Sequence, residues 1–225
     1  MPSLAASTSV RAVIFDMDGV LTDSEPLIRA AAMAMFRERG LIVRPEDFVP
    51  FVGTGEIRYI GGVAEKYAFP LEIQEAKRRT YEIYLELVPR RLEPFPGACE
   101  FVLSCRAAGL KTAVASSADL IKIEANLRKV GLPAESWDAV VSGDDITRTK
   151  PAPDIFLAAS GRMKLRPAEC VVIEDAVHGV EAAHAAGMRC VAVAQTFDAA
   201  LLRGADVVRA RMADVSLQDL VAGAP

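Results

Sequence analysis

The sequence is short of several things, and each shortage removes a class of function. No apolar run approaches the ~20 residues that a membrane-crossing helix needs, so membrane insertion is not expected. There is no surplus of basic charge. Lys and Arg number 26 against 30 Asp and Glu, a net charge of −4, which leaves no basic face for nucleic acid. Aromatic residues make up only 6 %, and Trp137 and the tyrosines form no base-stacking pattern. Histidine is limited to His178 and His184, a separation that does not put both on one ligand face of a helix. The four cysteines (Cys99, Cys105, Cys170 and Cys190) have neither CxxC nor metal-ligand spacing. Cys170 and Cys190 open apolar runs and read as small buried hydrophobes, which suits a reducing compartment; a redox-sensing pair is the alternative. Residues 1–9 carry small and hydroxyl side chains without the apolar stretch of a signal peptide, and read as a loose tail.

What is present suits a globular enzyme. The 225 residues, 52 % of them hydrophobic, allow one sizeable domain or a core with a smaller insert. Apolar β-type runs recur at 12–15, 112–115, 139–141, 171–173 and 191–194, with a weaker one at 207–208. Helical patterns at 98–108, 121–130, 154–162 and 177–186 separate most of them, and several close on a glycine. Alternation of this kind predicts an α/β fold with a parallel sheet covered on both faces. Between roughly residues 25 and 91 the rhythm breaks: helical segments at 26–39, 56–67 and 71–88 follow one another with no convincing strand. That block reads as an inserted helical domain, hinged at 22–25 and at the proline-rich 92–97.

The chemistry collects at the ends of the strand-like runs. Val13-Ile14-Phe15-Asp16-Met17-Asp18-Gly19 is a buried strand that ends in two carboxylates and a glycine. Alternation along a strand projects Asp16 and Asp18 the same way. Two carboxylates that close repel unless a cation sits between them. The arrangement suits a nucleophile, an acid/base and a hard cation such as Mg²⁺, although a strand end capped by a solvated Asp turn would read the same. Ser116-Ser117 ends the second strand, where hydroxyls and free amides suit a phosphate oxygen or simply cap a helix. Lys150-Pro151-Ala152-Pro153-Asp154-Ile155-Phe156 holds a lysine in a stiffened segment, and Glu174-Asp175 ends another buried strand. Four acids at adjacent strand ends are tolerable only beside a cation and Lys150.

These four segments, in this order, resemble the motifs of the haloacid dehalogenase (HAD) superfamily over about residues 10 to 222. The resemblance implies a Rossmann-like core (10–24 and 93–222) with a helical cap domain (25–92), as in the β-phosphoglucomutase-like subfamily. It implies a Mg²⁺-dependent phosphatase acting on a small phosphorylated metabolite through an aspartyl-phosphate. Asp16 would be the nucleophile and Asp18 the acid/base. Asp16, Asp18, Asp175 and Glu174 would serve the metal, and Ser116, Ser117 and Lys150 the phosphoryl group. In the cap, Thr54, Gly55 and Glu56 resemble the substrate-specificity loop, and Arg79 falls near a position that reaches the substrate in related enzymes. β-Phosphoglucomutase has an arginine at Glu56 and a histidine at Ile28; the second absence weakens a mutase reading, and Glu56 disfavours a second anionic group on the substrate. A narrower likeness runs through 49–53, Gly55-Glu56, 61–64, 113–119 and 150–158. It is to the stromal HAD domain of the plant and algal suppressor-of-quenching family, which implies a chloroplast location; otherwise the chain is expected in the cytoplasm. The alternatives are a sugar phosphomutase and a regulatory domain without turnover. A monomer is expected, free-standing or within a larger multidomain protein.

Overall fold

A computed structural model describes residues 10–221; the 1–9 segment read as a tail lies outside them. Six strands form one parallel sheet: β1 (Ala12–Phe15), β2 (Lys111–Ala115), β3 (Ala139–Val141), β4 (Cys170–Glu174), β5 (Arg189–Val193) and β6 (Val207–Arg209). Their spatial order is β3-β2-β1-β4-β5-β6. Every residue of β1 and β4 is buried, as expected for strands covered on both faces. Val13 and Phe15 pack to one side, against α4 (Ala98–Ala107), α5 (Leu120–Lys129) and α8 (Leu217–Val221). On that side the Phe15 ring meets Trp137 edge-on at 5.9 Å, so the single tryptophan is a core residue. Ala12 and Ile14 face the other side, against α6 (Asp154–Arg162) and α7 (Val177–Ala185).

The chain runs outward from β1 to β2 and β3, then returns to lay β4 on the other side of β1. This reversal is a topological switch point, where loops leaving the carboxyl ends diverge and open a crevice for a ligand. Phe15 pairs with Ile173 in the parallel register, so Asp16 and Glu174 leave the sheet side by side.

A helical unit is inserted between β1 and α4. It comprises α1 (Glu25–Glu38), a 3₁₀ stretch (Pro45–Phe51), α2 (Glu56–Lys66) and α3 (Ile73–Arg91). It has its own apolar cluster, centred on Phe36, Phe48, Ile60 and Tyr84. Two chain crossings attach it to the core, where Thr22 bridges Pro94 and the Phe95 amide donates to the Leu21 carbonyl at 3.1 Å. The patterning predicts the last helix over 71–88, ending before Pro89. The helix instead continues to Arg91, because the packing of Ile83, Tyr84 and Val88 outweighs one missing amide in the final turn.

Candidate active site

Asp16 follows β1 at the switch point and is 7 % exposed. Its Oδ1 accepts from Lys150 Nζ at 2.5 Å, and the same ammonium donates to Glu174 Oε1. Lys150 reaches this position over the Phe156 ring, whose centroid is 4.9 Å from the nitrogen. The spacing of the Lys-Pro-x-Pro-Asp-x-Phe segment thus has a physical meaning, since its last residue supports its first. Burial lowers the basicity of Lys150, but the neighbouring Asp16 and Glu174 charges outweigh it and its pKa is raised. Burial pushes the Asp16 carboxyl up to about 7, with Glu174 and Asp18 adding to the effect and Lys150 opposing it.

Asp175 is also buried, and its carboxyl lies well above the usual range through burial and the Glu174 and Asp16 charges. Gly19, at φ +84°, lets the chain turn against it; a Cβ there would stand 1.9 Å from Asp175 Oδ2. On the far side, Gly179 lets the start of α7 close over Glu174. Glu174 Oε2 accepts the amides of Asp175 and Ala176 at 2.7 and 2.8 Å. Both Glu174 oxygens are therefore engaged, one by Lys150 and the other by the turn into α7. Ser116 is buried at the end of β2, with its Oγ accepting the Ala118 amide at 3.2 Å. Ser116, Ser117, Lys150 and Asp16 line one cavity of about 370 Å³.

Asp18 is turned toward the helical unit. Its Oδ2 accepts from Lys122 Nζ at 2.7 Å and its Oδ1 from the Ser24 hydroxyl. Ser24 holds the N-cap position of α1 without capping it, which leaves the hydroxyl free for Asp18. Of the four acids expected to serve a metal, Asp18 and Glu174 have both oxygens engaged, whereas Asp16 pairs with Lys150 through one oxygen and Asp175 has a side-chain hydrogen bond with Thr196. Among the described residues, no three Asp, Glu, His or Cys side chains are grouped as ligands. An oxygen-only pair still fits Mg²⁺, which is commonly held by one or two carboxylates with water and substrate phosphate completing the octahedron. Two buried carboxylates whose pKa values are both raised, first of all by burial, are also a place where a cation is stabilising.

Thr54, Gly55 and Glu56 line the cavity roof, as does Ile28. Glu56 is not a free negative charge there: it is 8 % exposed, and its Oε1 lies 3.3 Å from Lys122 Nζ. Arg79 is not brought to the site. Its guanidinium binds Glu38 at 2.8 Å and Glu82 at 2.9 Å, because the buried face of α3 is formed by Ala76, Thr80, Tyr81 and Tyr84 and position 79 lies off it. The sequence reading missed Lys122 and Ser24, and also Gln195 and Thr196. Gln195 ties the Gly19 carbonyl to the Met212 amide, and the Thr196 side chain hydrogen-bonds Asp175. Lys122 carried a signal, since it and Asn126 sit one turn apart on a helix face otherwise filled by Ile123 and Leu127.

The profile of the haloacid dehalogenase-like hydrolases matches residues 10–187. The chain belongs to that family. Over 219 residues it is 49 % identical to Protein SUPPRESSOR OF QUENCHING 1, chloroplastic, of Arabidopsis thaliana, covering 95 % of this chain and 21 % of that protein. This HAD chain therefore spans about a fifth of the plant protein's length. It is 34 % identical to the Fructose-1-phosphate phosphatase YqaB of Escherichia coli, over 80 % of this chain and 95 % of that one. The crystal structure of CbbY from Rhodobacter sphaeroides in complex with phosphate superposes with a TM-score of 0.84 at 28 % identity, covering 94 % of this chain and 99 % of CbbY. The fold is thus the Rossmann-like HAD fold, and the chain is a phosphatase of that family.

Proposed function

We propose that this HAD phosphatase hydrolyses a small monophosphate with an uncharged leaving group, through a covalent phosphoryl group on Asp16 and with Mg²⁺ as cofactor. The observation that carries the reading is the buried Asp16 carboxylate. It is paired with Lys150 beside Asp175, on the floor of a cavity roofed by the helical unit. Asp16 attacks phosphorus and the bond to the leaving oxygen breaks. Lys150 offsets the charge of the three equatorial oxygens, and Ser116 with the Ser117 amide orients them. Asp18 gives its proton to the departing alkoxide, then takes one from the water that releases phosphate and regenerates Asp16. Asp16 and Asp175 would hold Mg²⁺, which when bound offsets phosphoryl charge. Residues 25–92 act as a cap that excludes bulk water.

The cap side of the cavity supports an uncharged leaving group, because its buried cation, Lys122, is already shared between Asp18 and Glu56. Ile28, buried in the cavity wall, favours hydrolysis over a mutase, whose leaving group must be re-presented to the phosphoenzyme. The likeness to a chloroplastic plant protein supports a place in the chloroplast stroma. Phosphate release from a panel of sugar, polyol and acid monophosphates, with and without EDTA, tests the reading. Turnover that depends on Mg²⁺ and disappears in Asp16→Asn is expected. Interconversion of sugar 1- and 6-phosphates without phosphate release would favour the mutase, and activity retained in Asp16→Asn would refute the nucleophile.

A further inference from the structure

The reaction above uses only the floor of the cavity. Its volume, about 370 Å³, is that of a pocket enclosing a whole small molecule, so the walls above the phosphoryl site meet the leaving group. The polar side chains that α1, α2 and the loop between them bring to the cavity are Glu25, Thr54, Glu56 and Tyr59. Each has a partner within the protein. The Tyr59 hydroxyl donates to Glu25 Oε1 and the Thr54 hydroxyl to the Phe51 carbonyl, both at 2.7 Å, while Glu56 faces Lys122.

What these elements leave free for a ligand is apolar. Val49, Phe51 and Val52 line the cavity from the helical unit, and Phe197 and Leu201, between β5 and β6, line it from the core. Val49 is 63 % and Leu201 59 % exposed, which puts them at the mouth. Single exposed apolar side chains are ordinary, but these converge on one opening. Both sets are held in place. Gly62 on α2 seats the Phe51 ring: a Cβ there would stand 2.3 Å from it, and the Arg58 guanidinium lies 5.0 Å from the ring centroid. A glycine in mid-helix costs helix stability, so α2 gives up some of its own to hold that ring. On the core, the Asp198 carboxylate accepts the Ala200 amide at 2.7 Å and fixes the turn that carries two leucines. Leu202 is buried and anchors the turn, and Leu201 is left exposed at the cavity.

We propose that this mouth reads an apolar body on the leaving group, with Val49, Phe51, Val52, Phe197 and Leu201 as the residues that determine specificity. A polyol between these walls gives up water from hydroxyls that find no partner, whereas an apolar body gains by burial. The substrate class is then the monophosphate ester of an apolar alcohol rather than of a sugar. The inference rests on the phosphatase reading of Asp16.

The test is a series of n-alkyl phosphates from ethyl to hexyl, set against glycerol phosphate and sorbitol phosphate. Leaving-group basicity is nearly constant along the alkyl series, so a trend in kcat/KM reports burial of the added methylenes. The wild type is expected to gain about two- to fourfold per methylene, and the polyol esters to fall below the hexyl ester. Leu201→Ser and Val49→Ser replace exposed side chains, which spares the fold. Each is expected to lower the hexyl-to-ethyl ratio by about two- to fivefold. Because the ratio is taken within one variant, a change in the amount of active protein does not move it. A ratio unchanged in the double variant, a flat or falling alkyl series, or phosphate released only from the polyol esters overturns the proposal. Failure of the underlying reading looks different, as wild-type protein that releases phosphate from no ester or Asp16→Asn that still releases it.

Discussion

Replacing Asp16 by asparagine should stabilise the metal-free protein. The Asp16 carboxyl is pushed from an ordinary 3.8 up to about 7, first by burial and then by Glu174 and Asp18, with Lys150 opposing. A group whose pKa is higher in the folded state than in the unfolded chain contributes stability below the unfolded value, and that contribution is lost as pH rises through the folded one. At about 1.4 kcal/mol per pH unit, ionised Asp16 disfavours folding at pH 8 by on the order of 4 kcal/mol, of which about 2 kcal/mol accrues between pH 5.5 and 8. This window is clear of the opposite contributions. Asp47 and Glu169, held down to about 2 by their hydrogen bonds, contribute fully above the unfolded carboxylate range. Asp16→Asn removes the charge while its amide oxygen can still accept from Lys150. Thermal or urea unfolding in EDTA is the assay. The wild type is expected to be less stable at pH 8 than at pH 5.5 by about 2 kcal/mol, or roughly 5 °C. Asp16→Asn is expected to be flatter across the window and more stable at pH 8. Saturating Mg²⁺ should restore the wild type at pH 8, by about 2.7 kcal/mol at a hundredfold excess over Kd, and the variant by less. Wild type as stable in EDTA at pH 8 as at pH 5.5, with Asp16→Asn destabilised, would refute the argument that an ionised Asp16 disfavours the metal-free fold.

Three further outcomes are expected. Asp18→Asn should lower kcat/KM on alkyl phosphates by about 10²–10⁴, the usual worth of general acid–base catalysis, and by much less on p-nitrophenyl phosphate. Asp175→Ala should chiefly weaken Mg²⁺ binding, so that titrating Mg²⁺ recovers part of the activity; EDTA-insensitive turnover in the wild type would contradict this and the metal assignment. Arg79→Ala should leave the substrate ranking unchanged across the panel, since that guanidinium is spent on Glu38 and Glu82 outside the cavity; a reordered ranking would bring the residue back to the substrate.

Much of this protein could be read before any tertiary contact was known, for a local reason. β1 and β4 are unbroken apolar runs because both faces of a central parallel strand are covered, and each ends abruptly in acids. Segment order then leads to a parallel α/β sheet, and the two residues after Phe15 and Ile173 become neighbours once those strands pair. The helical insertion is equally local, a stretch of helical periodicity with no strand to interrupt it. Lys150 belongs to this class too, since its prolines and Phe156 lie within a few positions of it.

What only the tertiary structure decided is which way the charged side chains point. Alternation puts Asp16 and Asp18 on the same side of an extended chain, but past Phe15 the backbone turns through Gly19. Asp18 then finds Ser24 and Lys122, more than a hundred residues from it in the case of the lysine. Glu174 looks like a metal ligand by its position, yet the amides of its own turn and Lys150 occupy it. Glu56 and Arg79 are both charged residues of the inserted helical unit, and nothing within either helix says which one faces the core. Helix rotation settles it, placing Glu56 on Lys122 and Arg79 on Glu38. A charge is stabilised by whichever opposite charge lies nearest in space, and for a helical unit packed on a core that partner can come from a distant part of the chain.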